Sequence, residues 1–200
     1  TLGYGEGVDS SISKAGEQDK YTFIASVNDK VVICCAPYKR IQGYFYPYLE
    51  LYDPNGVMTA HSYPGCGLIF AVTQTAGKHT IIVKADAADA NAEGEYGLRL
   101  KNINNPVYDD TVIMLDTDFS QLVPYISRTL TPVGADTYIF DASLNQTVVF
   151  DFDSASLNGT IPFCALYDMT GKQLSISYSL STNGEVIATL PATGRYYLFV

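Results

Sequence analysis

The chain has 200 residues, 47% of them hydrophobic, with 12 Lys and Arg against 21 Asp and Glu and a formal net charge of −9. That balance disfavours nucleic acid and anionic membrane surfaces as partners, because both are bound through basic stripes. No run approaches the roughly 18 apolar residues of a membrane span. No signal peptide is recognisable in these residues, and the start Thr1-Leu2-Gly3-Tyr4 without Met is what a processed or excised piece is expected to show.

In chain order, strands are expected at 20–25, 30–35, 48–52, 68–72, 79–84 and 96–100. Each is rich in Val, Ile, Tyr or Phe, and most are closed by Gly, Pro, Asn or Asp. Asp53-Pro54-Asn55-Gly56 is a turn with a mechanism, since Pro54 presets φ and Gly56 accepts a positive one. The 16 Tyr and absence of Trp suit strands, where a ring packs while its hydroxyl stays wet.

The same text then recurs. Asp19-Lys20-Tyr21-Thr22-Phe23 returns as Asp136-Thr137-Tyr138-Ile139-Phe140, an offset of 117 residues. Leu51-Tyr52-Asp53 returns as Leu166-Tyr167-Asp168, and Gly77-Lys78-His79 as Gly194-Arg195-Tyr196. A period this long marks a duplicated domain rather than a solenoid repeat. The fold class expected is all-β, with two tandem antiparallel β-sandwiches of jelly-roll type. The first copy spans 1–101 and the second 119–200. Residues 102–118 connect them: Asn104-Asn105-Pro106 breaks structure, while Val112-Ile113-Met114-Leu115 is apolar enough to be a first strand of the second copy. The second copy is expected to lack its closing strand, because nothing follows Val200 to match the segment around Tyr96.

The four cysteines are Cys34, Cys35, Cys66 and Cys164, with no C-x-x-C pair, so zinc-ribbon and thioredoxin readings fail. Buried free thiols are one reading. Alternation along the second strand turns Cys35 inward and Cys34 outward, so in an exported chain Cys34 and Cys66 are a candidate disulfide. Cys164 is expected to be a buried free thiol. No H-E-x-x-H, G-x-S-x-G or phosphate loop occurs. His79 replaces an inward aromatic and reads as a core or edge residue. His61 beside Cys66 has the elements of a thiol dyad but no supporting site, so no catalytic residue is assigned.

In order and spacing, the motifs around Asp19-Lys20-Tyr21-Thr22-Phe23, Leu49-Glu50-Leu51-Tyr52-Asp53-Pro54-Asn55-Gly56 and Gly94-Glu95-Tyr96-Gly97-Leu98 resemble bacterial pre-peptidase C-terminal domains. The second copy matches through Asp136, Tyr138, Phe140, Leu166, Tyr167, Asp168, Gly171, Gly194 and Tyr196, and His79 departs from the pattern. The resemblance implies a non-catalytic β-sandwich appended to exported bacterial enzymes, often peptidases, and so a secreted or cell-surface location. It is related to modules of secreted collagenases that bind collagen, some of them with calcium. These are fold motifs, which carry architecture better than they carry a ligand.

Two kinds of site are expected. The acidic loop Asp86, Asp89, Asn91 and Glu93, and the connector residues Asp109, Asp110, Asp116 and Asp118, have the oxygens a calcium ion needs. The alternative for both is a solvated acidic surface. The second is an aromatic loop. Tyr38, Arg40, Tyr44, Phe45, Tyr46 and Tyr48 crowd one stretch of the first copy, where the second has only Asn158-Gly159-Thr160-Ile161-Pro162-Phe163. Exposed Tyr with Arg marks recognition surfaces, because rigid rings lose little entropy on contact. The expected function is a non-catalytic module attaching a larger exported protein to an extracellular protein, polysaccharide or cell surface. The alternative is a structural spacer or secretion and folding aid with no ligand of its own.

Overall fold

The computed structural model describes residues 1–62, 67–104, 110–112, 137–153, 163–178 and 183–200. The described residues fall into two units, 1–104 and those from Asp110 onward. Among the described residues every regular element but one is a strand, and no helix is long and apolar enough to cross a membrane.

The first unit has eight strands: β1 (Gly7–Ile12), β2 (Gln18–Ala25), β3 (Lys30–Gln42), β4 (Pro47–Tyr52), β5 (Met58–His61), β6 (Leu68–Val72), β7 (Gly77–Ala85) and β8 (Glu93–Asn102). They form two four-stranded antiparallel sheets, ordered β1-β8-β3-β6 and β2-β7-β4-β5. This alternation of sequential strands between two sheets is the jelly-roll order. Period-2 patterning turns Leu49 and Leu51 of β4, and His79, Ile81 and Val83 of β7, toward the opposite sheet. There they meet Val31, Ile33 and Cys35 of β3 and Leu98 and Leu100 of β8. Full burial of one such aliphatic side chain contributes about 1.5–3 kcal/mol, so this layer holds the sheets face to face.

The two sheets are also joined by hydrogen bonds. The Tyr96 hydroxyl on β8 is fully buried and donates to Asp19 Oδ2 on β2, which also accepts from Ser10 Oγ on β1 at 3.1 Å. Tyr21 on β2 completes the network, its hydroxyl 2.8 Å from that of Tyr96. Burial comes first among the causes that push the Tyr96 hydroxyl well above the ordinary phenol range, followed by its bonds to Asp19 and Tyr21.

The strand beginning at Lys30 is longer than its sequence suggests. It continues to Gln42, paired with β8 through two register shifts, between Pro37 and Lys39 and between Arg40 and Gln42. Pro37 has no N–H to give a ladder, and a bulge is where a strand tolerates that.

The second unit repeats the plan. Its strands are β9 (Asp110–Val112), β10 (Thr137–Ala142), β11 (Thr147–Asp153), β12 (Phe163–Asp168), β13 (Gln173–Tyr178), β14 (Asn183–Thr189) and β15 (Gly194–Phe199). The order β13-β12-β15-β10 reproduces β5-β4-β7-β2, and β11-β14 reproduces β3-β6. Phe140, Cys164, Leu166, Val186, Tyr196 and Leu198 form its core. Phe140 stacks on Tyr196 at 5.7 Å, as Phe23 stacks on His79 at 5.3 Å in the first unit. Of the expected strand at 112–115, only Val112 is described; it ends β9, which pairs with β10 in parallel at the sheet edge, and 113–115 lie outside the described residues. Among the described residues no strand flanks β11 where β8 flanks β3.

The repeated turn has one mechanism in both units. Asp53 Oδ1 accepts from the backbone N–H groups of Asn55 and Val57 at 2.9 and 2.8 Å, and Asp168 Oδ1 from those of Thr170 and Lys172 at 2.8 and 3.0 Å. The Val57 amide, foremost among the partners of Asp53, holds its carboxyl below the usual range. Glu17 is lowered by the Ser13 amide and hydroxyl, and Asp141 by Arg195. A group with a folded pKa below its unfolded one contributes stability above the unfolded value, about 4 for these carboxylates, and loses it as pH falls through the folded value. The midpoint of thermal unfolding is therefore expected to fall as pH drops below about 4. A midpoint unchanged down to full protonation of these carboxyls would contradict that assignment.

Candidate functional site

The aromatic loop joins β3 to β4 at one end of the first sandwich, and its backbone is fastened at several points. Gly43 adopts a φ of 67°, and a Cβ there would lie 2.4 Å from Asp89 Oδ2. That oxygen accepts the Tyr44 N–H at 2.8 Å. The Asp86 N–H donates to the Tyr46 carbonyl at 3.0 Å, and the Asp86 carboxylate caps a short 3-10 turn, Ala87–Asp89, by accepting from Ala88 N at 2.9 Å. Phe45 is fully buried, its ring 6.4 Å from that of Tyr96. Its seat exists because residue 94 is glycine: a Cβ there would stand 2.3 Å from the Phe45 ring.

Between these anchors the loop presents its other side chains outward. Tyr44 is 70% exposed, Ile41 54% and Tyr38 46%. The Arg40 guanidinium lies 5.6 Å from the Tyr44 ring centre and 5.0 Å from that of Tyr46, and its Nη2 donates to the Tyr46 hydroxyl at 3.0 Å. Such cation–π contacts contribute about 0.5–1 kcal/mol each at exposed sites, so they orient the rings more than they hold the fold. Among the described residues Arg40 pairs with no carboxylate. The neighbouring cations differ: Lys39 Nζ is 2.6 Å from Glu95 Oε1, and Lys84 Nζ is 2.6 Å from Glu50 Oε1. Burial works to raise the Glu50 carboxyl, but hydrogen bonds from Lys84 and Tyr52 outweigh it and leave it lowered. Tyr48 stands apart from the loop tip, stacked on His61 at 5.9 Å with Lys84 Nζ 5.4 Å from its ring.

The structure thus separates the six aromatic-loop residues by role. Arg40, Tyr44 and the partly buried Tyr46 come together, Tyr38 is exposed on β3, Phe45 is sealed in the core, and Tyr48 belongs to β4. Ile41 joins the exposed set unanticipated, because strand alternation cannot be extrapolated through the bulges around it.

The acidic loop takes part in the local hydrogen bonding. Asp86 and Asp89 spend carboxylate oxygens on backbone N–H groups of the turn and the aromatic loop, while Asn91 is exposed and Glu93 partly buried. Among the described residues no group of three His, Cys, Asp or Glu side chains comes together to hold a metal ion. Asp109, Asp116 and Asp118 lie outside the described residues, and Asp110 opens β9 with its side chain outside them.

Cys35 points into the core as expected, and Cys34, on the other face of β3, is buried as well. Both carry free thiols, as does Cys164; Cys66, the candidate partner of Cys34, lies outside the described residues. Burial pushes the Cys34 thiol up to about 12, against the opposing effect of Lys101, and Cys164 also to about 12. A thiol is nucleophilic only as thiolate. Cys34, Cys35 and Cys164 are therefore expected to resist iodoacetamide in the native protein and to react on unfolding in urea. Peptide mass spectrometry showing native alkylation of any of the three would contradict this.

No protein-family profile matches the chain, and no curated protein matches it. Among solved structures it is similar to the CUB1-EGF-CUB2 domain of human MASP-1/3, at 8% identity and a TM-score of 0.31, covering 98% of this chain and 99% of that one. It is also similar to YhaK from Escherichia coli, at 10% identity and a TM-score of 0.27, covering 99% and 86%. A third is the CUB1-EGF-CUB2 domains of rat MASP-1, at 8% identity and a TM-score of 0.25, covering 95% and 96%. Likenesses this distant say nothing about ligand or activity.

Proposed function

We propose that this chain is a non-catalytic attachment module of an exported bacterial protein, built from two pre-peptidase C-terminal-type sandwiches, the first of which holds an extracellular surface through Tyr38, Arg40, Tyr44 and Tyr46. The observation that carries this reading is the fastening of Tyr44. Its backbone is held by Asp89 and its neighbour Phe45 is buried, yet its ring is 70% exposed. An ordered, exposed aromatic on a fixed backbone has already lost the entropy that binding would otherwise cost. The competing reading is a spacer with no ligand of its own.

The test is co-sedimentation of the full chain with insoluble polysaccharides, fibrillar collagen and bacterial cell walls. Binding to one of them is expected, weakened about 30-fold in Tyr44→Ala, as truncation of a central contact of about 2 kcal/mol would give. Sedimentation unaffected by replacing Tyr38, Tyr44 and Tyr46 together with alanine would favour the spacer.

A further inference from the structure

The charge arrangement around the exposed rings goes further and selects a ligand chemistry; the inference rests on the attachment reading above. Lys39 and Lys84 are each neutralised by a carboxylate at 2.6 Å. Arg40, lying against two aromatic rings, has no such partner among the described residues. Among the described residues its one hydrogen bond runs from Nη2 to the Tyr46 hydroxyl, which leaves most of the five N–H donors of a guanidinium for something else. A guanidinium fork matches a carboxylate in two parallel hydrogen bonds, whereas a neutral hydroxyl leaves its charge unanswered.

We infer that the outward cluster is a subsite for an acidic polysaccharide built of uronic acid residues. The apolar face of one sugar ring lies on the exposed side of Tyr44, and the carboxylate of an adjoining residue takes the free edge of Arg40. Two features favour a polymer over a single sugar. The guanidinium centre is 5.6 Å from the Tyr44 ring centre, so stacking and charge pairing fall on neighbouring positions along a chain. Tyr38 and Ile41, 46% and 54% exposed, supply further apolar surface on the same stretch of chain.

The experiment is calorimetric titration of the full chain with oligogalacturonate and with the same oligomer methyl-esterified. Esterification keeps every ring and removes the charge. The expected result is binding of the acid form, weaker by at least about tenfold after esterification or in Arg40→Gln, lost in Tyr44→Ala, and falling with added salt. Both variants alter exposed side chains, and an unchanged unfolding midpoint confirms that they fold. Equal affinity for the acid and the ester, or binding only to neutral glycans or collagen with loss in Tyr44→Ala, overturns the uronate inference and leaves the attachment reading standing. Uronate binding that survives both substitutions overturns the assigned site. Absence of binding to every polymer tested overturns both readings.

Discussion

Phe45→Ala is expected to destabilise the first unit by about 3–5 kcal/mol, the range for removing a buried aromatic ring and leaving a cavity. The ring is fully buried, packs beside Tyr96 and occupies the space left by the missing side chain of Gly94. Collapse into that space is restricted, because β3 and β8 are already paired on either side of residue 94. Tyr44→Ala, one residue away, removes a ring that is 70% exposed and is expected to change stability by no more than about 0.5 kcal/mol. Urea unfolding of the two variants measures the contrast. Similar losses in both would show that the loop is not divided into a buried anchor and an exposed contact.

Tyr96→Phe is expected to cost about 1.5–3 kcal/mol, the scale of a buried hydrogen bond to a charged group. The substitution keeps the ring and its packing but removes the donor to Asp19, whose Oδ2 is left with the Ser10 hydroxyl. It also strips Tyr21 of its partner. The bond crosses from one sheet to the other, so the loss falls on the closure of the sandwich rather than on one strand. A double-mutant cycle with Tyr21→Phe is expected to show non-additivity, since the two hydroxyls share one network. A cost under about 0.5 kcal/mol for Tyr96→Phe would show that water replaces the hydroxyl at no loss.

That network explains why the fold was legible in the sequence. Asp19 and Tyr21 belong to a motif that both copies carry and Tyr96 to one that the first copy carries, far apart in sequence. Both stand out because one hydrogen-bonded cluster needs all three. The Asp53 and Asp168 turns were legible for a similar reason, since a side-chain acceptor two and four residues ahead of its donors is local chemistry. The candidate site was only half legible. Five aromatics within eleven residues announce a cluster, but only tertiary context distinguishes Phe45, which is sealed, from Tyr44, which is not. The course of β3 beyond Pro37 was hidden because proline ordinarily ends a strand and here sits at a bulge. The role of Asp89 was hidden because its partner, the Tyr44 amide, is 45 residues away in sequence.

The division of labour in the aromatic loop has an evolutionary consequence. The groups that set its path are the Phe45 ring, the glycine at 43 and two backbone contacts to the acidic turn. None of them is a side chain at position 38, 41 or 44. Mutations at positions 38, 41 and 44 can therefore accumulate without eroding the scaffold, so the rim of one copy can explore new specificities while its duplicate keeps the ancestral frame. For the protein engineer the same three positions are a ready place for randomised libraries, on a frame whose tolerance can be read from thermal melts before any selection begins.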